Sequence, residues 1–301
     1  MKAVVLTRYG DNDALEVRQF PEPQPGPGAV KIRIAASSLN PIDWKVRSGA
    51  VKSWFPVEFP AILGFDGSGE VVELGPNASG FAVGDRVLGL IRHSQAEFTT
   101  ATTNLLAKVP ERLGLVDAAA LPLVGLTGAQ LIEDGVSPKR GDWVLVTGAL
   151  GGVGRCAVHV ARGLGARVIA GVRARQVEEA RELGAEQVVA IDDAAAVGGL
   201  PPLQGIADTV GGLAVETLLS RLGPGGRLGT VVSPPSGAKE RGVDVHSITT
   251  RPDSRRLSIL ASEFAAGSLR LPIGARFPLE RVREAFRAAE QGGAGKVLLT
   301  L

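Results

Sequence analysis

The spacing of hydrophobic and polar positions changes once along the chain, at about residue 118. Before that point, short runs that alternate or are rich in β-branched residues recur between clusters of proline and glycine. This pattern predicts β-strands joined by turns. The predicted strands are Lys2–Thr7, Val30–Ala36, Gly69–Leu74, Asp85–Ile91 and Glu97–Thr103. Residues 1–118 are therefore expected to form an all-β domain.

After residue 118 the pattern predicts strands and helices in alternation, which indicates a parallel sheet with helices on both faces. Residues 119–251 are expected to form this second domain, and residues 252–301 to return to the first. The predicted elements include helices at Ala118–Leu121 and Leu126–Asp134, a last sheet strand at Val243–Ile248, helices near Arg255–Ala266 and Leu279–Gln291, and a terminal strand at Lys296–Leu301.

The most informative motif is the β-branched run Trp143–Thr147, which is followed by a glycine-rich turn, Gly148–Gly154, and then by a predicted helix. Glycines let the backbone approach a phosphate closely, and the first N–H groups of the helix face its negative charge. Ala166–Val172 supplies the second strand of a βαβ unit. The order predicts a dinucleotide diphosphate site, and an ordinary tight turn is the alternative.

The end of that second strand indicates which dinucleotide is bound. Sites that prefer NAD usually carry Asp or Glu about 20 residues beyond the glycines, where it holds the ribose 2′-hydroxyl. Here Arg173-Ala174-Arg175 follows Val172. A guanidinium suits a 2′-phosphate, because its donors are fixed in shape and always charged. We therefore predict NADPH, with Arg173 and Arg175 on the phosphate, unless both arginines are simply solvated.

Composition narrows the classes of function. The 301 residues are 45% hydrophobic, and 33 basic residues against 31 acidic ones leave a net charge of +2. Such a balance predicts no binding of nucleic acid or of an anionic membrane. The N-terminus lacks the features of a signal peptide, so we expect a cytoplasmic protein without membrane spans. One cysteine, Cys156, and three histidines make a zinc site improbable.

Several further motifs follow one another along essentially the whole chain. They are Asn40–Gly49, Gly64–Val72, Gly84–Val87, Leu121–Thr127, the glycine turn, Asp208–Gly212, Gly225–Arg227 and Gly295–Val297. In this order they resemble the medium-chain dehydrogenase/reductase superfamily, and most closely its zinc-free quinone oxidoreductase branch, the relatives of zeta-crystallin. The resemblance implies an α/β fold in which a Rossmann doubly wound parallel sheet is joined to a GroES-like β-rich catalytic domain.

The resemblance also separates this chain from the zinc-dependent branch. The first catalytic zinc ligand of that branch, a cysteine, corresponds here to Asn40, and its His-Glu pair corresponds to Phe65-Asp66. A phenyl ring cannot bind a metal, and an amide with one carboxylate does not make a tetrahedral zinc site. The four-cysteine structural lobe is absent as well. The resemblance therefore implies a reductase that uses no metal.

By resemblance, three residues are candidates for catalysis. Asn40 matches the active-site asparagine of the family, and its amide is expected to donate to the substrate oxygen or to orient a water. Lys45 stands where relatives often have tyrosine, and Arg251 resembles a basic residue at the border of the substrate pocket. The alternatives are an asparagine that caps the turn before Pro41, a solvated lysine and a loop arginine that faces water.

The resemblance further implies a set of contacts to the cofactor. Thr127 is expected near the nicotinamide, and the glycine turn around the diphosphate. Other candidates lie just past the ends of strands, where this fold binds ligands. The complete set is Thr127, Gly151, Gly152, Val153, Gly211, Val231, Ser233 and Lys296, with Arg173 and Arg175 on the 2′-phosphate. Val243–Ile248 is predicted to pair across the axis of a homodimer.

These observations favour an NADPH-dependent reductase that transfers hydride to a quinone or an α,β-unsaturated carbonyl. Such acceptors delocalise the incoming charge themselves, so they need no Lewis acid. Two alternatives stay open. One is an enoyl reductase that acts on a carrier-bound acyl chain of the polyketide type, and the other is a noncatalytic NADPH-binding protein.

Overall fold

The structure, a computed structural model, describes residues 1–293 and 295–301. The chain divides into two compact units, one formed by Met1–Leu123 with Pro252–Leu301 and one by Val124–Arg251. Residues 119–123 thus belong to the first unit and not, as predicted, to the second. The reason is local: the segment before them packs on strands of the first unit, and the Leu123 N–H donates to the Asp66 carboxylate.

The first unit contains two sheets in the described part of the chain. The smaller one has the order β2-β1-β4 and the larger one the order β15-β16-β3-β5-β6-β8, with β7 also paired to β3. All pairs are antiparallel except β15 with β16. The strands are β1 Lys2–Leu6, β2 Leu15–Gln19, β3 Ala29–Ser38, β4 Ala61–Ile62, β5 Gly67–Leu74, β6 Arg86–Gly89, β7 Phe98–Thr102, β8 Leu106–Lys108, β15 Ile273–Pro278 and β16 Lys296–Thr300.

The prediction that residues 1–118 are all-β is wrong, because helix α1 spans Pro41–Ser48. Its ends follow ordinary rules: proline opens the first turn, and Gly49 closes the last one with a φ of 76°. Three other helices belong wholly to this unit, α2 Leu115–Ala118, α8 Ser254–Ala265 and α9 Val282–Gln291. Short 3₁₀ turns lie at Asn12–Ala14, Thr103–Leu105 and Leu279–Arg281.

The second unit confirms the α/β fold class. Its six strands among the described residues are all parallel, in the order β11-β10-β9-β12-β13-β14. Counted within the unit this is 3-2-1-4-5-6, the doubly wound order of dinucleotide-binding sheets. The order reverses between β9 and β12, where such sheets bind ligands. The strands are β9 Trp143–Thr147, β10 Arg167–Val172, β11 Gln187–Ala190, β12 Leu203–Asp208, β13 Leu222–Thr230 and β14 Asp244–Ser247.

Helices connect these strands. They are α4 Gly152–Gly163, α5 Val177–Ala180, α6 Ala194–Gly198 and α7 Gly212–Leu218, with 3₁₀ turns at Ala174–Gln176, Arg181–Leu183 and Leu219–Arg221. Helix α3, Pro122–Gln130, continues as a π-helix over Leu131–Val136. The unit closes on an apolar core between sheet and helices that includes Leu145, Ile169, Ile206 and Leu228.

One helical segment among the described residues, Leu115–Val136, is apolar and long enough to cross a bilayer. However, 78% of its most apolar window is buried inside the protein. A buried core helix of a globular protein has these same properties.

Candidate active site

Asn40 lies at the centre of a buried polar cluster in the first unit. It precedes α1 with an extended backbone, and the residue is 1% exposed. Its Nδ2 donates to Asp66 Oδ1 at 3.0 Å and to Ser38, while its Oδ1 accepts from the Nζ of Lys296 at 2.6 Å. Both amide protons are therefore directed at protein acceptors.

Lys296 brings the only ammonium group into this cluster of described residues. It is 9% exposed at the start of β16, and its Nζ also donates to the backbone oxygen of Leu39 at 3.0 Å. The resemblance placed Lys296 among the residues that contact the cofactor. In the structure its Nζ donates to Leu39 and Asn40, so we assign it to the cluster. Residues 40, 66 and 296 are far apart in the chain, and no sequence pattern connects them.

Two carboxyl groups complete the cluster. Asp43 Oδ2 accepts from the Asn40 N–H at 2.9 Å and its Oδ1 from Gln95 Nε2 at 2.9 Å. Burial raises the pKa of the Asp43 carboxyl to about 8, and it outweighs the lowering effect of the Asn40 N–H bond. Burial also raises the pKa of Asp66, against the charge of Lys296 and the Leu123 N–H bond.

The hydrogen-bond pattern around Asp43 agrees with a carboxyl group that keeps its proton at neutral pH. Gln95 is fully buried, and its Oε1 has no hydrogen-bond partner. A buried acceptor without a donor is unfavourable. Turning the Gln95 amide over would place Oε1 against Asp43 Oδ1, where a protonated carboxyl group donates to it.

These residues do not fit a zinc ion. The three positions that hold catalytic zinc in the metal-dependent branch carry an amide, a phenyl ring and a carboxylate, at Asn40, Phe65 and Asp66. The Lys296 ammonium lies 2.6 Å from the amide oxygen, so a divalent cation there would meet an existing positive charge. No group of three or more His, Cys, Asp or Glu residues within 1–293 and 295–301 has the arrangement of a metal site.

The glycine turn of the second unit has the geometry of a phosphate cradle. Gly148 adopts a φ of 59°, and Gly151 precedes α4 without a side-chain cap on the helix. A Cβ atom on Gly154 would collide with the backbone oxygen of Gly148, so close packing requires glycine here. The N–H groups of the first helical turn, which includes Gly152 and Val153, are left for an anion.

Asp208 organises the carboxyl edge of the same sheet, a role that its motif in the sequence did not reveal. It is fully buried at the end of β12. Its Oδ1 accepts from Thr147 Oγ1 and from the N–H groups of Val210 and Gly211, each at 2.9 Å, and its Oδ2 accepts from Thr230 Oγ1 at 2.9 Å. One carboxylate thereby connects the ends of β9, β12 and β13. The signal available in the sequence was an aspartate directly after a buried strand.

Arg173 and Arg175 lie just past β10, and both are exposed. Neither makes an ion pair with a residue in the described ranges, which leaves both guanidinium groups available to a ligand. The structure adds an acid that the sequence pattern did not indicate. Asp192 accepts from the Ala174 N–H at 2.9 Å, so a carboxylate lies close to the two arginines.

Other predicted cofactor residues also lie at strand ends of the second unit. Gly211 precedes α7 with a φ of 74°, the Val231 N–H donates to the Asp208 backbone, and Ser233 is exposed. Thr127 is buried, and its hydroxyl lies 2.6 Å from that of Thr250.

The two remaining catalytic candidates have different surroundings. Lys45 is exposed on α1 and forms no ion pair in the described part of the chain. Arg251 belongs to the second unit, where its side chain is 61% exposed and pairs with Asp134 at 2.6 Å. Its backbone forms two hydrogen bonds with the Gln130 amide. The structure therefore brings Asn40 together with Lys296, but not with Lys45.

Comparison with known proteins places this geometry in a family. Residues 26–122 match the family model of the alcohol dehydrogenase GroES-like domain, and residues 183–299 match that of zinc-binding dehydrogenases. Human quinone oxidoreductase is 30% identical over 327 aligned positions, which cover 100% of this chain and 98% of the human one. The chain belongs to the medium-chain dehydrogenase/reductase superfamily, in its quinone oxidoreductase branch.

Other relatives are more similar over shorter stretches or form part of larger proteins. The chloroplast envelope quinone oxidoreductase homologue of Arabidopsis thaliana is 39% identical over 201 residues, which are 63% of this chain and 60% of the relative. The first relatives are thus matched over about 60% of their length. A pikromycin polyketide synthase component of Streptomyces venezuelae is 31% identical over 93% of this chain and 8% of its own length.

Solved structures agree with the fold. The quinone oxidoreductase from Coxiella burnetii superposes with a TM-score of 0.93 at 28% identity and covers 100% of this chain and 99% of its own. A mycobacterial protein solved in complex with NADPH gives a TM-score of 0.85 at 29% identity, with both chains covered completely. The GroES-like and Rossmann parts predicted from the sequence are confirmed.

Proposed function

We propose that this protein is an NADPH-dependent, zinc-independent oxidoreductase that transfers hydride to a quinone or an α,β-unsaturated carbonyl. The observation that carries the proposal is the Lys296 ammonium, hydrogen-bonded to Asn40 where the metal-dependent branch holds zinc. Bound NADPH supplies the hydride. The acceptor spreads the incoming charge over its conjugated system, so no Lewis acid is required.

The chain binds and orients the cofactor in this proposal. The turn from Gly148 to Gly154 holds the diphosphate by backbone N–H groups, and Asp208 fixes the strand ends beside it. Arg173 and Arg175 hold the 2′-phosphate, which favours NADPH over NADH. The similarity to a mycobacterial protein complexed with NADPH supports this choice.

The structure changes the role that we propose for Asn40. Because both of its amide protons already donate to Ser38 and Asp66, we propose that Asn40 positions its neighbours and does not donate to the substrate oxygen. Lys296 keeps the amide in place. The proton that completes the reduction then comes from solvent.

The test is the oxidation of NADPH with a panel of acceptors: 1,4-benzoquinone, 9,10-phenanthrenequinone, 2-alkenals and crotonyl thioesters. We expect turnover of the quinones or alkenals and a preference for NADPH over NADH that is lost in the double variant Arg173→Ala/Arg175→Ala. Turnover confined to saturated alcohols or aldehydes would contradict the proposal. Cofactor binding without turnover would favour a noncatalytic protein.

A second candidate function is an enoyl reductase for carrier-bound acyl chains. The similarity to a polyketide synthase component over 93% of the chain favours it. It predicts that crotonyl thioesters of a carrier protein are reduced faster than free alkenals. Equal rates would argue against a dedicated carrier substrate.

We also propose a homodimer formed through β14, which lies at the edge of the parallel sheet. An edge strand offers unpaired backbone groups to a second copy. Light scattering during size-exclusion chromatography tests this, and a monomer would contradict it. The cytoplasmic location stays a prediction, since one relative is named for the chloroplast envelope.

A further inference from the structure

The first unit contains a concave pocket of about 190 Å³ that the proposed mechanism has not used. Its wall is polar and apolar in nearly equal parts: Val46, Phe55, Val57 and Phe65 contribute apolar side chains, and Arg92 contributes a positive charge. A cavity of about 150 Å³ accommodates benzene, so this pocket has room for one ring with a small substituent.

Arg92 is the distinctive group of this pocket. Its guanidinium carbon lies 4.8 Å from the centroid of the Phe55 ring and 6.0 Å from that of Phe65, and the two rings are 5.4 Å apart. Within residues 1–293 and 295–301, Arg92 forms no ion pair with a carboxylate. Stacking on aromatic faces orients the planar guanidinium, and its N–H donors stay available to an anion.

The walls of the pocket are held in place by hydrogen bonds and by one ring contact. The Val57 N–H donates to the Tyr9 hydroxyl at 3.0 Å, and the Tyr9 ring packs edge-on against Phe59 with centroids 4.8 Å apart. On the other side, the His93 N–H donates to the backbone oxygen of Gly64 at 3.0 Å. The pocket is therefore preformed, which lowers the entropy cost of binding.

Residues that line the pocket are neighbours in the chain of residues that form the polar cluster. Phe65 lines the pocket and directly precedes the buried Asp66, and Val46 lines it from α1, the helix that Asn40 precedes. A ring in this pocket therefore lies next to the elements that carry the buried polar cluster.

We propose that this pocket binds the planar ring of the acceptor and that Arg92 selects acceptors that carry a carboxylate. This inference rests on the proposed function, because it specifies the substrate class of that site. Two other titratable groups face the pocket. Glu58 opposes an anion, while His93 adds no charge at neutral pH, since burial and the charge of Arg92 lower the pKa of its ring.

The kinetic test compares two enones with the same reacting group, 4-(3-oxobut-1-enyl)benzoate and its methyl ester. In the wild-type protein we expect a KM for the acid about tenfold below that for the ester, in line with one charge-assisted hydrogen bond near the surface. In Arg92→Met the two KM values should become similar, with little change in kcat. Arg92→Lys keeps the charge without the planar fork and should recover only part of the preference.

Two further variants make the test specific. Arg33→Met removes another exposed arginine of the same unit, which pairs with Glu70 outside this pocket, and it should leave the acid preference intact. Glu58→Gln removes the opposing charge and should strengthen the preference severalfold. An unchanged acid preference in Arg92→Met would overturn the inference while leaving the proposed reductase activity standing.

A binding measurement separates the pocket from the chemistry. Benzoate and benzamide are compared by ligand-observed NMR on the whole protein without cofactor. We expect benzoate to bind more tightly, and the difference to disappear in Arg92→Met. Equal binding of both compounds to the wild type would overturn the inference, whether or not any enone is reduced.

Discussion

Replacement of Asp43 by asparagine tests the protonation state of the buried cluster. A neutral asparagine imitates the protonated carboxyl group: its Oδ1 accepts from the Asn40 N–H, and with the Gln95 amide turned over its Nδ2 donates to Gln95 Oε1. The variant should therefore be close to the wild type in stability only below about pH 4. At higher pH the unfolded wild-type chain releases the carboxyl proton that the folded protein keeps, so the variant should be the more stable protein, and by more at pH 8 than at pH 6.

The size of the effect follows from the pKa values. The pKa of Asp43 is about 8 in the folded protein, against 3.8 for an unperturbed aspartate. Between these values the folded protein holds one proton more than the unfolded chain, so the free energy of unfolding falls as pH rises, by about 1.4 kcal/mol per pH unit. The slope levels off near pH 8, and from pH 6 to pH 8 the wild type should lose about 2 kcal/mol that Asp43→Asn does not lose.

Urea unfolding followed by tryptophan fluorescence measures this, because Trp44 neighbours Asp43 in α1. Asp66, whose pKa is also raised by burial, acts in the same direction in both proteins, and in the wild type its charge contributes to the raised pKa of Asp43. The control is Asp85→Asn: Lys108 lowers the pKa of that half-buried carboxyl, which is therefore ionised in both the folded and the unfolded chain from pH 6 to pH 8, so its replacement should leave the pH profile unchanged over this range. Parallel pH profiles for the wild type and Asp43→Asn would refute the reasoning.

Three other predictions concern contacts of Lys296, Gly154 and Arg251 that were described above. Lys296→Met leaves Asn40 Oδ1 buried without its donor and should lower the free energy of unfolding by about 3 kcal/mol, measured by urea titration. Gly154→Ala places a methyl group against the Gly148 oxygen and should weaken NADPH binding at least about tenfold, measured by fluorescence titration. Arg251→Ala removes an exposed ion pair and should change the free energy of unfolding by less than about 1 kcal/mol in the same urea titration.

The dinucleotide-binding unit of the fold was predictable because its strands, turns and helices are indicated by residues that are close together in the sequence. The strand predicted at Trp143–Thr147 has those bounds in the structure, and the return strand differs by one residue. Strand β13 was predicted over residues 227–232 but begins at Leu222, because Leu222 already pairs with Leu203 before an irregularity that ends where Arg227 pairs with Gly205. Helix α1 was missed because eight residues show too short a periodic pattern between strands.

The candidate site was only partly predictable, for a physical reason. Asn40 was identified through its motif, but its partners depend on tertiary packing: Asp66 comes from 26 residues and Lys296 from 256 residues further along the chain. The periodic pattern of the sequence gives no indication of contacts between residues so far apart in the chain. The same holds for Asp208, whose four donors come from the ends of two other strands and from the turn that follows its own strand. Buried polar networks are specified by the completed fold.

The central claim is that hydride passes from NADPH to a conjugated acceptor without a metal. The direct measurement is the reduction of 9,10-phenanthrenequinone by NADPH, before and after exhaustive dialysis against a chelator, with zinc determined by mass spectrometry in the same samples. We predict that the rate is unchanged while zinc stays far below one ion per chain. A rate that falls with the removal of stoichiometric zinc and returns when zinc is restored would contradict the account.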